Sequence, residues 1–327
     1  MRKRVLHFIG RIVWLHKIAM LAAVWASVGL LTVMSIAGYF GQLGQFFENA
    51  SHLRIPYAVG FFFCVSVFIL YKCWRQSLAT VLIFLLVDFA PLAQLYVPPA
   101  KTTAQSPHSV TVFHANLWGG RNHKYETTVK AIKVKNPDIV GLSEVTPVWA
   151  RVMKEGLKDY PYQVIETRFG GVALFSRYPI SSSKVDYYGS RSRPRITAKI
   201  KVAESELTCV LIHPVIPLGN CFSMRNGELE VIGNQVAGIN GAKIVFGDFN
   251  CSPWSSYFSA LEEKGKLKDS ELGFGPQPSW HTQLPYALIP IDHCLISENM
   301  NTLARSVGPN IGSDHLPFVV KFSMPIN

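Results

Sequence analysis

Near the N-terminus the apolar residues run almost without interruption, whereas beyond residue 109 they come in short runs separated by polar ones. Residues 18–40 carry no charge over about 23 positions, long enough to cross the roughly 30 Å core of a bilayer as a helix. Residues 55–71 form a second such run around Phe61, Phe62 and Phe63. A third, residues 77–97, is interrupted by Asp88 and Pro91. The pattern predicts an anchor of three transmembrane helices within residues 1–97. A cleaved signal peptide has a shorter apolar core and is not followed by two further spans.

Positive residues flanking the spans set their direction. Arg2, Lys3, Arg4, Arg11 and Lys17 precede the first, and Lys72 and Arg75 lie between the second and third. The loop between the first two has only Arg54, offset by Glu48. The N-terminus is therefore expected in the cytoplasm. Three crossings then leave the C-terminal part outside the cell membrane, in the periplasm of a bacterium. An acid inside a span is costly, so Asp88 is expected to face neighbouring helices. Residues 98–108, polar and proline-containing, read as a linker.

From residue 109 to 327 the pattern predicts an α/β domain. Strands are expected at 110–115, 139–143, 171–176, 196–202, 207–213, 243–246, 291–296 and 318–322. Helices are expected at 125–135, from Pro147 onward, and at 222–239 and 255–264. Runs such as Cys209-Val210-Leu211-Ile212 are apolar on both faces, as in sheets covered by other layers.

Composition supports two unlike parts. Charged residues make up 16% of the chain, against about 25% in soluble domains. About ten of the charges precede residue 97 and about forty-three follow it. The net charge of +11 is shared roughly evenly, and the basic bias of the second part is compatible with a phosphate-bearing substrate.

Polar residues of a few types recur where the apolar strands end. Asn116, Glu144, His213, Asp248 with Asn250, Asp292 with His293, and Asp314 with His315 all stand at such positions. Strand ends of a layered sheet converge on one rim, so these side chains are expected to form one cluster. Carboxylate and amide oxygens are hard ligands suited to Mg²⁺ or Mn²⁺, and no Cys/His spacing suits zinc. For phosphoester hydrolysis, a metal bridging phosphate oxygens, an activated water and cationic or amide donors around the developing charge are the means available.

The ordered motifs Asn116, Pro137-Asp138-Ile139-Val140-Gly141-Leu142-Ser143-Glu144, Ser176-Arg177-Tyr178-Pro179-Ile180, His213-Pro214, Gly247-Asp248-Phe249-Asn250, Ile291-Asp292-His293 and Ser313-Asp314-His315-Leu316-Pro317 carry a resemblance. They resemble the endonuclease/exonuclease/phosphatase superfamily, deoxyribonuclease I-like proteins, and within it the bacterial membrane-tethered members. The resemblance covers nearly all of residues 109–323. It implies a four-layer α/β sandwich, two packed mixed sheets flanked by helices. It also implies that Glu144 is the principal metal ligand, with Asn116 and Asp314 directly or through water. Asp248 would orient or deprotonate the attacking water and Asn250 would hold a phosphate oxygen. His315 would stabilise the transition state, oriented by Asp292. His213 would contact the scissile phosphate, with Asn116 as a further substrate contact. Ser176 and Arg177 are expected to shape the turn into Tyr178-Pro179, and Arg177 is a further candidate for substrate contact from there.

Other features carry less. Asp138 is expected to cap its strand, and His114 and His123 to be structural. Arg191, Arg193 and Arg195, near Tyr187 and Tyr188, form a basic stretch that suits a nucleic-acid backbone, a lipid headgroup or a solvated hairpin. Trp118, Trp254 and Trp280 lie near motif residues and would wall a pocket or fill the core. Cys221 and Cys251 each follow a motif, and a bridge between them is one pairing an oxidising compartment allows. The leading expectation is a metal-dependent phosphodiesterase or endonuclease acting on nucleic acid at the membrane, with no obligate protein partner. The alternatives are an enzyme for lipid or small phosphorylated headgroups, and a catalytically inactive membrane scaffold.

Overall fold

A computed structural model describes residues 2–100, 105–188, 193–284 and 289–325. The chain divides into two compact units, Met1–Leu92 and Ala93–Asn327.

The first unit is helical. It contains α1 (Arg2–Ala37), a 3₁₀ turn (Gly38–Leu43), α2 (Gln45–Ser51), α3 (Arg54–Leu70) and α4 (Trp74–Val87), and α5 (Phe89–Gln94) runs across its end. Val24, Val28, Phe61, Cys64, Phe68 and Val87 pack together, while most large apolar side chains of α1 point outward. By length and composition one helix, running from Lys3 to Leu43, suffices to cross a membrane, and α2 with α3 makes a second candidate bent by 64°. The expectation of three spans is therefore corrected. The predicted third span, 77–97, breaks at Asp88, and the 14 residues of α4 rise only about 21 Å. Asp88 itself is buried and accepts a hydrogen bond from Arg54 Nη1 at 2.9 Å, so the acid is paired inside the helical unit.

The second unit holds, among the described residues, twelve strands in two sheets. The strands are β1 (Gln105–Asn116), β2 (Ile139–Ser143), β3 (Tyr162–Glu166), β4 (Val172–Ser176), β5 (Ile180–Tyr187) and β6 (Pro194–Val202), then β7 (Ser205–Ile212), β8 (Ala242–Asp248), β9 (Leu267–Asp269), β10 (Asp292–Ser297), β11 (Asn301–Val307) and β12 (Phe318–Pro325). The first sheet has the order β11-β12-β1-β2-β4-β3 and the second β5-β6-β7-β8-β10-β9. Each is antiparallel apart from one parallel pair near its centre, β1 with β2 and β7 with β8.

Helices cover the outer faces. Trp149, Ala150 and Met153 of α7 (Pro147–Gly156), with Ala131 and Ile132 of α6 (Tyr125–Lys135), pack on Phe113, Val140 and Phe175 of the first sheet. Leu229, Ile232 and Val236 of α8 (Cys221–Ala237) and Phe258 and Leu261 of α9 (Ser256–Gly265) pack on Val210, Val245 and Leu295 of the second. Between the sheets lie Val110, Val112, Ile139, Leu174, Ile196, Leu211, Phe246, Phe318 and Val320. The result is the expected four-layer sandwich, helix, sheet, sheet, helix.

All eight expected strands and all four expected helices of this unit are present. The four unexpected strands, β3, β5, β9 and β11, are the four sheet edges. Edge strands keep one side toward solvent and are blunted with polar residues, as in the Ser181-Ser182-Ser183-Lys184 run of β5. The suggested bridge between Cys221 and Cys251 does not form. Cys251 instead turns into the core beneath α8 and α9, beside Leu229, Ile232 and Phe258.

The sheets approach closely at Gly141 of β2, where a Cβ would lie 2.2 Å from the Phe246 ring. Gly141→Ala is expected to overpack this interface and destabilise the second unit by about 1–3 kcal/mol. Calorimetric melting of the purified full chain checks it; an unchanged transition temperature contradicts the close packing described.

Candidate active site

The strand directions gather the polar ends. β1 and β2 run parallel and finish together at Asn116 and Ser143, and β7 and β8 do the same at Ile212 and Gly247. β10 runs antiparallel to β8, so it begins where β8 ends, with Asp292 opposite Asp248. β12 is antiparallel to β1, which places the loop before it, with Ser313, Asp314 and His315, at the same rim. Gly247 allows the ending of β8: a Cβ there would lie 2.0 Å from the Ile212 carbonyl oxygen. Trp118, Glu144 and Asn250 all adopt positive φ, between 50° and 59°, a costly backbone conformation that collects at functional sites.

Asp248 stands at the centre. Its Oδ1 accepts from the Asn250 amide at 2.9 Å. Its Oδ2 accepts from Asn116 Nδ2 at 3.0 Å and lies 3.5 Å from His213 Nε2 and 3.8 Å from His315 Nε2. Asn116 Nδ2 also reaches Glu144 Oε1 at 3.4 Å, while its Oδ1 accepts from the Trp118 amide. Asn116 thus ties the two carboxylates together. Glu144 is the more open group, with 24% of its side chain exposed, and its Oε1 lies 3.9 Å from both His213 Nε2 and the Arg193 guanidinium.

His315 Nδ1 lies 2.7 Å from Asp292 Oδ2, which also accepts from Ser279 Oγ at 2.6 Å. Behind them the buried His114 Nδ1 is 3.4 Å from Asp292 Oδ1. Ser313 Oγ donates to the Asn116 carbonyl and receives the His315 amide, which pins the loop to the end of β1. Asn250 Nδ2 donates to the Pro214 carbonyl, and Glu228 of α8 accepts from the Val215 amide, so the segment after His213 is held from two sides.

Burial opposes charge on His315, but Asp292 and Asp248 overcome it and hold its pKa up at about 9. Burial likewise opposes charge on Asp292, and contact with His315 prevails, keeping that carboxyl below its ordinary value. Asp248 is pushed up by burial, to about 7. Burial and the neighbouring Arg193 drive His213 well below its usual pKa, so it is neutral. His114 falls to about 4 through burial and is neutral too. The rim therefore holds one cationic imidazole on an ionised carboxylate and one neutral imidazole across from it.

Asn116, Glu144, His213, Asp248, Asn250, Asp292 and His315 are brought together. Asp314 is beside them, but its Oδ2 accepts from Trp280 Nε1 at 3.3 Å rather than turning to Glu144. Arg177 is not at the site. Its amide donates to the Asp138 carbonyl at the opposite end of β2, its guanidinium donates to Asn136 Oδ1, and it stacks over Tyr160. β2 and β4 are antiparallel, so a residue following β4 lies at the far end from Glu144. Arg193 reaches the rim against His213, while Arg191 lies outside the described residues. Ser279 and Glu228 are not foreseen from the sequence, since a lone serine and a mid-helix glutamate have no distinguishing pattern.

The hard oxygens of Glu144 and Asp248, both within reach of one amide nitrogen, suit a divalent cation. Asp248, Asp292 and His315 also offer ligand atoms within 4.8 Å of one another.

A family model described as Endonuclease/Exonuclease/phosphatase family matches residues 113–315, well over half of the chain. No curated protein matches. Among solved structures, a D. rerio TDP2 complexed with single-strand DNA product is similar over 65% of this chain and 98% of its own, with 15% identity and a TM-score of 0.57. An endonuclease/exonuclease/phosphatase from Bacteroides vulgatus matches over 66% and 99%, with 18% identity and a TM-score of 0.55. A mannosyl-6-phosphatase of Bacteroides thetaiotaomicron matches over 65% and 99%, also with 18% identity and a TM-score of 0.55. At these identities the likeness is one of fold.

Proposed function

The chain belongs to the endonuclease/exonuclease/phosphatase family of phosphoester hydrolases, and from that premise we propose that it is a divalent-metal-dependent phosphodiesterase with Mg²⁺ or Mn²⁺ as its ion. One observation carries the reading: a single carboxylate oxygen, Asp248 Oδ2, is met by Asn116, His213 and His315 at 3.0, 3.5 and 3.8 Å. A water placed there is oriented by Asp248 toward a phosphorus atom held between the two imidazoles. His315, kept protonated by Asp292, meets the negative charge that grows on the phosphoryl oxygens. The neutral His213 accepts or donates a proton on the other side. Asn250 and Asn116 offer amides to the phosphate. Glu144 would hold the metal, helped by Asn116 and Asp314 directly or through water, and a bound ion would supply Lewis-acid stabilisation of the phosphoryl group.

A nucleic-acid diester is the leading substrate, in keeping with Arg193 at the rim. A second reading, a lipid phosphodiester, draws on exposed apolar side chains of the adjoining loops. Phe169 precedes the Gly170-Gly171 turn beside Val145, and Ile216 and Leu218 follow His213.

The full chain assayed with Mg²⁺ or Mn²⁺ is expected to cleave plasmid DNA, RNA or bis(p-nitrophenyl) phosphate, and to lose activity in EDTA. Asp248→Asn and His315→Ala are each expected to lower kcat/KM by roughly 100- to 10,000-fold. Turnover of phospholipid alone would select the second reading, and no turnover on any substrate would leave the inactive scaffold.

We further propose that residues 1–97 anchor the chain in the cell membrane of a bacterium with the N-terminus cytoplasmic; the expected linker at 98–108 is shorter than read, because β1 of the catalytic unit already begins at Gln105. Parity now matters. A single crossing by α1 puts the catalytic unit outside, as three would, whereas a second crossing by α2 and α3 returns it to the cytoplasm. A periplasm-dependent alkaline phosphatase reporter fused after Asn327 is expected to be active, and a silent fusion overturns the orientation.

A further inference from the structure

The face of β10 away from the rim carries a second polar cluster that the hydrolytic reading leaves unused. Successive strand residues point to opposite faces. Asp292 therefore faces the rim, and His293 faces the helix layer, its ring 5.3 Å from that of Phe249 and 4.7 Å from that of Phe258. His293 Nε2 donates to the Cys251 carbonyl at 2.9 Å. That bond fixes the tautomer and leaves a lone pair on Nδ1. Asp269 at the end of β9 and Glu271 just beyond it meet His293, and the three residues offer ligand atoms within 4.8 Å of one another.

All three side chains are buried, at 3%, 0% and 0% exposure. Among the described residues, Asp269 Oδ2, Glu271 Oε2 and His293 Nδ1 each lack a hydrogen-bond partner. They cannot satisfy one another, for all three are acceptors, and Nδ1 is 3.9 Å from Glu271 Oε2, beyond hydrogen-bonding range. Arg305 does not fill the gap. Its Nη1 donates to Ser270 Oγ, its Nη2 donates to the Asp292 carbonyl, and its approach to Glu271 Oε2 is 3.8 Å. Two buried carboxylates, Asp269 and Glu271, thus face one guanidinium. A buried charge in excess is costly unless a cation or proton joins it.

We propose that His293 Nδ1, Asp269 Oδ2 and Glu271 Oε2 hold a second divalent ion, of the Zn²⁺ or Mn²⁺ type. One imidazole with two carboxylates is a donor set for such borderline ions. The Cys251 carbonyl on the far ring nitrogen is the usual outer support of a metal-bound histidine. The ion joins β9, β10 and the segment from Ser270 to Gln277, whose amide donates to Glu271 Oε1 at 2.6 Å. Two residues on, Ser279 holds Asp292. The site is therefore a staple behind the rim, positioning Asp292 from the opposite face of its strand.

The test uses the full chain produced with Zn²⁺ and Mn²⁺ in the medium, then dialysed extensively into Mg²⁺ buffer. Elemental analysis by mass spectrometry is expected to find about one equivalent of Zn²⁺ or Mn²⁺ retained by the wild type and by Asp248→Asn. His293→Gln and Asp269→Asn/Glu271→Gln are each expected to retain at least about tenfold less. Because those variants can fail to fold, a second measurement uses the wild type alone: Co²⁺ taken up during refolding should give a protein-bound visible absorption band. No retained ion and no Co²⁺ band would overturn the proposal in favour of a buried water or proton, as would undiminished retention by folded His293→Gln.

Discussion

A carboxylate buried as deeply as Asp292 costs several kcal/mol if it stands without a partner. In this chain its Oδ2 has His315 at 2.7 Å and Ser279 at 2.6 Å, and its Oδ1 lies 3.4 Å from the ring of His114. Those contacts come from the loop before β12, the segment before β10, and β1. Satisfying one charge therefore registers both sheets and two loops against each other. The same pairing keeps His315 protonated and turned toward Asp248, so the interaction that permits burial also prepares the cation that the proposed hydrolysis would use.

The apolar layer between the sheets is the other half of that arrangement. Phe246 can lie against Gly141 only because β2 has no side chain there, and the resulting closeness of the sheets brings Asn116 and Asp248 within a hydrogen bond. Charges at such a rim are screened little by solvent, which makes their mutual orientation strong in effect.

Much of this is legible in the amino-acid sequence. Central strands such as β2 and β8 are apolar on both faces, and their polar last residues mark the rim. Edge strands are not legible, since β5 is half polar and β9 spans three residues. Arg177 stands at the turn after β4, as its motif suggests, but not at the substrate rim, because a motif says nothing of which end of a strand it follows. Ser279 and Glu228 act through a few local hydrogen bonds, and no spacing announces that. In the helical unit, hydropathy alone suggests three spans, but pairing of Asp88 with Arg54 accompanies a break that leaves α4 short.

In the proposed chemistry the rim directs water at phosphorus. Hydrolysis of a phosphodiester by the full chain with Mg²⁺ in ¹⁸O-enriched water, followed by ³¹P nuclear magnetic resonance, tests it most directly. Attack by a water held at Asp248 predicts a product phosphate carrying one solvent-derived ¹⁸O, seen as an isotope-shifted resonance. Product without the label, or label placed only on the departing alcohol, would contradict it.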